Sequence, residues 1–187
     1  MADFQQQTQR HFAFRYLLAF GSNLGAKTNH CLKAWSMLQA YGHISASSAW
    51  ITTPPMRKPG CDTSDHEDYL NFVIDFASDL TPATLYQKIV QIEDHIGHDR
   101  TRSWAPRKID IDILQWALND AADFHHCQRQ HFYCKTSKLR IPHPAFAQRE
   151  FWHQLIRDCQ PFARKNLPYP QASSVPTPNS PFYDLAQ

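Results

Sequence analysis

The chain has 187 residues, 42% of them hydrophobic, with 19 Lys and Arg against 17 Asp and Glu for a formal charge of +2, which suits one domain of ordinary size with a real core. So near-neutral a balance gives no electrostatic case for general nucleic-acid binding, which needs a basic face or stripe. The cysteines, Cys31, Cys61, Cys127, Cys134 and Cys159, are odd in number and form no CxxC pair, so neither a disulfide framework nor a zinc ribbon is indicated and reduced thiols are expected. The polar N-terminal stretch lacks a signal-like apolar segment, and no apolar run approaches the ~20 residues of a membrane span. A cytoplasmic protein without membrane contact is expected.

Residues 1–11 read as a polar lead-in. Phe12 to Phe20 reads as a strand rich in aromatic and apolar residues, stopped by Gly21, and Gly21 and Gly25 bracket the turn G-S-N-L-G. A helix follows, in which Leu32, Trp35 and Leu38 recur at helical spacing and Gly42 falls where a glycine cap would sit. Ile44 to Thr52 reads as one strand, ended by Pro54-Pro55, which cannot donate ladder hydrogen bonds. Met56 to Asp68 is a long polar loop of the kind that serves as a lid or binding segment.

Tyr69 to Phe76 alternates, with Leu70, Phe72, Ile74 and Phe76 on one face and Tyr69, Asn71, Val73 and Asp75 on the other. Thr81-Pro82 is a helix start, and Leu85, Ile89, Ile92 and Ile96 keep helical period until Gly97. A short polar loop then leads to a strand around residue 110. The order β-α-β-β-α-β predicts an α+β fold, a ferredoxin-like βαββαβ core whose antiparallel sheet carries both helices on one face, layered α/β/α once more structure covers the other. Residues 117–137 read as an irregular surface insertion; its His125, His126, Cys127, His131 and Cys134 match no usual zinc spacing. Leu139 to His143 gives a short strand, Ala145 to Asp158 a final helix, and the stretch beyond Asn166 a proline-rich polar tail. The expected organisation is 1–11 flexible, 12–165 catalytic domain and 166–187 tail.

The stretch from Trp104 to Leu114, W-A-P-R-K-I-D-I-D-I-L, carries the chemistry. Alternation puts Ile109, Ile111 and Ile113 on one face of a strand and Asp110 and Asp112 on the other. Asp is depleted in strands, so a pair of them asks for a reason. Roughly 7 Å between their alpha carbons lets both carboxylates hold one hard cation or bridge two. Magnesium suits oxygen donors and is commonly completed by substrate phosphates. Arg107 and Lys108, with Arg100 and Arg102 upstream, supply cations for the anion such a metal would carry. A solvated acidic face on an edge strand is the plain alternative.

These motifs together resemble the 6-hydroxymethyl-7,8-dihydropterin pyrophosphokinases of the folate pathway. The likeness runs in order from G-S-N-L-G through T-P-P at 53–55, D-Y-L-N-F at 68–72, I-E at 92–93, the Asp-bearing strand and I-P-H-P at 141–144 to R-E-F at 149–151. It implies ATP-dependent transfer of an intact pyrophosphoryl group to the pterin's hydroxymethyl oxygen, with release of AMP. It further implies two magnesium ions on Asp110 and Asp112. Arg100, Arg107 and Arg149 would be phosphate and ATP contacts, and Glu93, Ile113 and His143 would join them at the nucleotide. Tyr69, Asn71 and Phe151 would hold the flat pterin, Thr53, Pro54 and Pro55 would shape its pocket, and Trp104 would close over it. Many members carry arginine where this chain has His98 and Ser103, and His98 is expected to supply part of that catalytic charge. The loop after T-P-P is longer than the commonest form, with its glycine at Gly60. Expected ligands are ATP and the hydroxymethyl dihydropterin, with other folate-pathway enzymes as possible partners. A weakly active paralogue that binds pterin or nucleotide in a regulatory role is the alternative. An RNA-binding ferredoxin-like domain is not supported, because neither its aromatic pattern nor a basic sheet face is present.

Overall fold

The computed structural model describes residues 11–56, 66–99, 105–118, 132–133 and 139–159. Alternating side chains build its sheet. In β1 (Phe14–Ser22) Tyr16, Leu18 and Phe20 point to one face and Leu17 and Ala19 to the other. β4 (Tyr69–Ser78) and β5 (Asp110–Leu118) flank β1, both antiparallel to it. β2 (His43–Ser47) and β3 (Ile51–Thr53) share the far edge of β4, giving the order β2-β4-β1-β5 with β3 also on β4. This is the antiparallel ferredoxin-like arrangement that the element order predicts.

The single strand expected over 44–52 is two strands. Between them Ser48 leaves regular pairing, yet its N–H donates to the Val73 carbonyl at 2.9 Å. Its hydroxyl accepts the Val73 N–H at 3.0 Å, so a side chain satisfies the donor that a strand carbonyl would have served.

α1 (Lys27–Leu38) and α2 (Pro82–Ile96) pack on the face of Tyr16, Leu18 and Phe20. α2 follows its sequence closely: Thr81 Oγ1 accepts the Thr84 N–H, Pro82 opens the first turn, Leu85, Ile89, Ile92 and Ile96 are buried, and Gly97 takes the left-handed cap at φ 102°. Of the expected stripe on α1, Trp35 and Leu38 pack on the core and Leu32 does not. Cys31, Ala34 and Leu38 face inward, while Leu32 is 52% exposed. The helix passes into a 3-10 turn, Gln39–Tyr41, and Gly42 is extended at φ 171° rather than a left-handed cap. Its glycine is required by close approach, since a Cβ there would lie 2.2 Å from the Ala77 carbonyl oxygen.

α3 (Glu150–Asp158) covers part of the second face, setting Trp152, Leu155 and Ile156 against Leu17, Val73 and Leu114 and completing the α/β/α layers. The expected helix from 145 is interrupted. A 3-10 turn over Phe146–Gln148 ends at Arg149, whose φ −101° and ψ 85° are not helical, and α3 starts afresh. β5 runs to Leu118 with a register shift that leaves Leu114 as an extra residue. β6 (Phe132–Tyr133) pairs with β7 (Arg140–Ile141), so the region read as irregular contains strand at both ends. His125, His126, Cys127, His131 and Cys134, the first ten residues and everything from 160 lie outside the described residues.

Cys31 and Cys159 are free thiols whose burial pushes their pKa up to about 12, which keeps them protonated and unreactive. Among the described residues no helix is long and apolar enough to cross a membrane.

Candidate active site

α3 covers only part of the sheet's second face, and beside it, over the Gly21 end of β1, lies a cavity of about 240 Å³ that Phe151 and Trp152 of α3 help to line. Its floor is built of small residues. Gly21 pairs with Asn71 of β4 on one side and Asp110 of β5 on the other, and Ala19 lies between Val73 and Asp112. A strand position without a side chain therefore opens the space between two functional walls. The fit is close, because a Cβ on Gly21 would stand 3.2 Å from Asn71 Oδ1 and 3.7 Å from the Tyr69 ring.

The first wall is aromatic and amide. Asn71 Nδ2 donates to Thr53 Oγ1 at 2.8 Å, which fixes the amide plane across β3 and β4. Tyr69, Thr53, Pro54 and Pro55 line the same side. Burial raises the Tyr69 pKa, so its phenol stays neutral. Phe151 and Trp152 come from α3 with ring centroids 5.8 Å apart.

The second wall is charged. Arg107 Nη1 donates to Asp110 Oδ2 at 2.5 Å. Asp112 has its pKa raised, first by burial and then by Asp110, a pair of like charges short of counter-charge. His143 Nε2 lies 3.5 Å from Asp112 Oδ1. The Ala145 N–H donates to His143 Nδ1 at 3.1 Å, which places the ring proton on Nε2. Burial, helped by Arg149, lowers the His143 pKa to about 4, so the ring is neutral near pH 7. Arg149, turned inward by the break before α3, stacks its guanidinium 4.3 Å from the Trp152 ring centroid. Its buried Nε has no partner among the described residues. The oxygen-only donor set of Asp110 and Asp112 suits a hard divalent cation, which would relieve their repulsion.

The structure thus brings Thr53, Pro54, Pro55, Tyr69 and Asn71 to one cavity with Arg107, Asp110, Asp112, His143, Arg149 and Phe151. Three expected residues, Glu93, His98 and Ile113, do not line that cavity. Glu93 is buried, 4% exposed, and its Oε1 accepts the Ile111 N–H at 2.7 Å, tying α2 to β5. His98 bonds through Nδ1 to the Ile109 carbonyl at 3.0 Å, and a ring nitrogen of His98, a carboxylate oxygen of Glu93 and one of Asp110 lie within 4.8 Å of one another. Ile113 points into the core under α1 and α2, so only its backbone is left to reach a ligand. Arg100 and Trp104 lie outside the described residues. Gly21, Ala19, Trp152, His66 and Met56 line the cavity without having been singled out as site residues. Gly21 had a signal, a glycine ending a strand; Trp152 had only its place beside Phe151.

Fold and site define a class: a ferredoxin-like domain that gathers paired acids, arginines and aromatic faces in one cleft over the open part of its sheet. Residues 17–161 match the protein family described as 7,8-dihydro-6-hydroxymethylpterin-pyrophosphokinase (HPPK), and the chain belongs to that family. The folate synthesis bifunctional protein of Chlamydia trachomatis is 30% identical over 151 residues, 80% of this chain and 31% of that protein. The 2-amino-4-hydroxy-6-hydroxymethyldihydropteridine pyrophosphokinase of Aquifex aeolicus is 29% identical, covering 77% of this chain and 79% of its own. The like-named Bacillus subtilis protein is 27% identical, covering 72% and 71%. The chain therefore spans about a third of the Chlamydia protein and most of the other two.

Proposed function

We propose that the chain is a pyrophosphokinase of folate biosynthesis, transferring an intact pyrophosphoryl group from ATP to the hydroxymethyl oxygen of 6-hydroxymethyl-7,8-dihydropterin. The hydroxymethyl oxygen forms a bond to the β-phosphorus, the bond from that phosphorus to the α,β-bridging oxygen breaks, and the bridging oxygen departs with AMP. The observation that carries this reading is the meeting of two walls across Gly21, one fit for a flat heterocycle and the other for a polyphosphate with its cations.

Tyr69 and Phe151 offer faces to the pterin, and Asn71, braced by Thr53, meets its amide and amine edge. Pro54 and Pro55 shape the pocket beside them. Arg107 and Arg149 take phosphate oxygens, each guanidinium able to hold two at once. Two magnesium ions held by Asp110 and Asp112 would spread over the phosphates and lower the pKa of the attacking hydroxyl. His143, neutral with its proton on Nε2, orients Asp112 and borders the nucleotide. Glu93 acts through β5, Ile113 through its backbone, and His98 through the carbonyl of Ile109. Arg100 would add a phosphate contact and Trp104 would close over the cavity. The catalytic domain is assigned to 12–165 and the location to the cytoplasm. Other folate-pathway enzymes are natural partners, a view supported by the relative named as a bifunctional folate synthesis protein.

Chromatographic measurement of AMP formed from ATP, with and without the hydroxymethyl dihydropterin, tests the reading. AMP should appear only with pterin and magnesium present. ADP as the product, or ATP turnover indifferent to pterin, would overturn it.

A further inference from the structure

Beyond Gly21, the turn after β1 gives no side chain to the cavity, yet Ser22 and Asn23 are both fully buried. Asn23 grips Arg107 at two points. Its N–H donates to the Arg107 carbonyl at 3.0 Å, and its Oδ1 accepts the Arg107 N–H at 2.7 Å. Next to it Ser22 Oγ donates to the Lys108 carbonyl at 2.6 Å. The segment they hold has no ladder of its own, since β5 begins only at Asp110. The direction in which Arg107 leaves the backbone is therefore set from across the fold, by the turn of β1. Asn23 Nδ2, meanwhile, is buried with no partner among the described residues. A buried amide donor left unmade is costly, so the side chain is better explained by what its oxygen holds than by its net contribution to stability.

We propose that Asn23 is a positioning residue for pyrophosphoryl transfer, touching neither substrate but fixing the Arg107 backbone so that the guanidinium meets the phosphates. The inference rests on the reading of Arg107 as a phosphate-binding cation. Misplacement of a reacting group by about 1 Å can cost about a hundredfold, so loss of the Asn23 acceptor acts mainly on the chemical step.

A double-mutant cycle on the full chain, by single-turnover kinetics with ATP and the hydroxymethyl dihydropterin, tests it. Asn23→Ala should slow the chemical step at least about tenfold while leaving calorimetric pterin affinity within about twofold. In an Arg107→Ala background the same change should add less than about twofold, because the group it places is gone. Asn23→Asp, which keeps an acceptor oxygen and loses the orphaned donor, should retain more turnover than Asn23→Ala. If Asn23→Ala does not fold, Asn23→Ser enters the same cycle. Losses that multiply independently in the double variant would overturn the proposal and leave Asn23 a packing residue. An Arg107→Ala enzyme of normal rate would overturn it differently, by removing the reading of Arg107 on which it stands.

Discussion

Gly21 does by absence what its neighbours do by chemistry. It pairs with Asn71 and with Asp110, so any side chain there would stand between the aromatic wall and the charged one. Gly21→Val should fold, because its strand backbone is ordinary, but should weaken pterin binding at least about tenfold, measured by calorimetry. Unchanged affinity would move the pterin site away from β1. At the charged wall, Asp110→Asn and Asp112→Asn should each lower turnover about a hundredfold or more with little change in melting temperature, since catalysis there is electrostatic. Near-normal activity of either variant at saturating magnesium would refute the metal assignment. Alternation alone made Tyr69, Asn71, Asp110 and Asp112 legible as same-face neighbours. The same rule puts the Ile113 side chain on the opposite face, in the core. Glu93 lies on the stripe of Leu85, Ile89, Ile92 and Ile96, so its burial had a helical signal. Gly21 was marked in sequence as a strand end, but which residues it separates needed the strand register.

At the scale of elements, strands with one strong pattern read cleanly and those held by exceptions did not. β2 and β3 are one run in sequence because only the Ser48 hydroxyl, standing in for a ladder carbonyl, divides them. α1 contains apolar residues on two sides, and packing chose Cys31, Ala34 and Leu38 over Leu32. β1 and β4 also share a buried ion pair, Arg15 with the fully buried Asp75, under α3. Burial raises the Asp75 pKa even though Arg15 opposes it. The folded chain thus holds that proton more readily than the unfolded one, and the residue's contribution to stability falls as pH rises through the folded value. Arg15→Met leaves the carboxylate uncompensated and should cost about 3 kcal/mol. The deficit should be largest at pH 8 and shrink toward pH 5 as Asp75 takes up its proton. Urea denaturation at both values measures it, and a deficit equal at the two would mean that packing, not charge, is what Arg15 supplies.

In the whole molecule, the unequal covering of the two sheet faces makes the site. α1 and α2 fill one face, whereas α3 stops short on the other and leaves the Gly21 end open. The element order disclosed the first half of that arrangement; the second depends on the break at Arg149, which no local signal marks. On the charged wall, Arg107 and Asp110 hold each other at 2.5 Å. Arg107 and Asp110 are thereby each other's counter-charge, and a ligand for either must displace the other. An anion that draws Arg107 away strands a carboxylate, a cation that takes Asp110 strands a guanidinium, and only their joint arrival leaves both charges matched. On the proposed reading of these two residues, nucleotide and divalent ion would be reciprocally linked by an exchange of partners. Arg107→Ala should then act with opposite signs, binding free manganese about fivefold more tightly or better while binding the metal–nucleotide complex more weakly. Electron paramagnetic resonance titration of manganese, with and without ATP, would read both. Binding weakened in both titrations would deny the exchange.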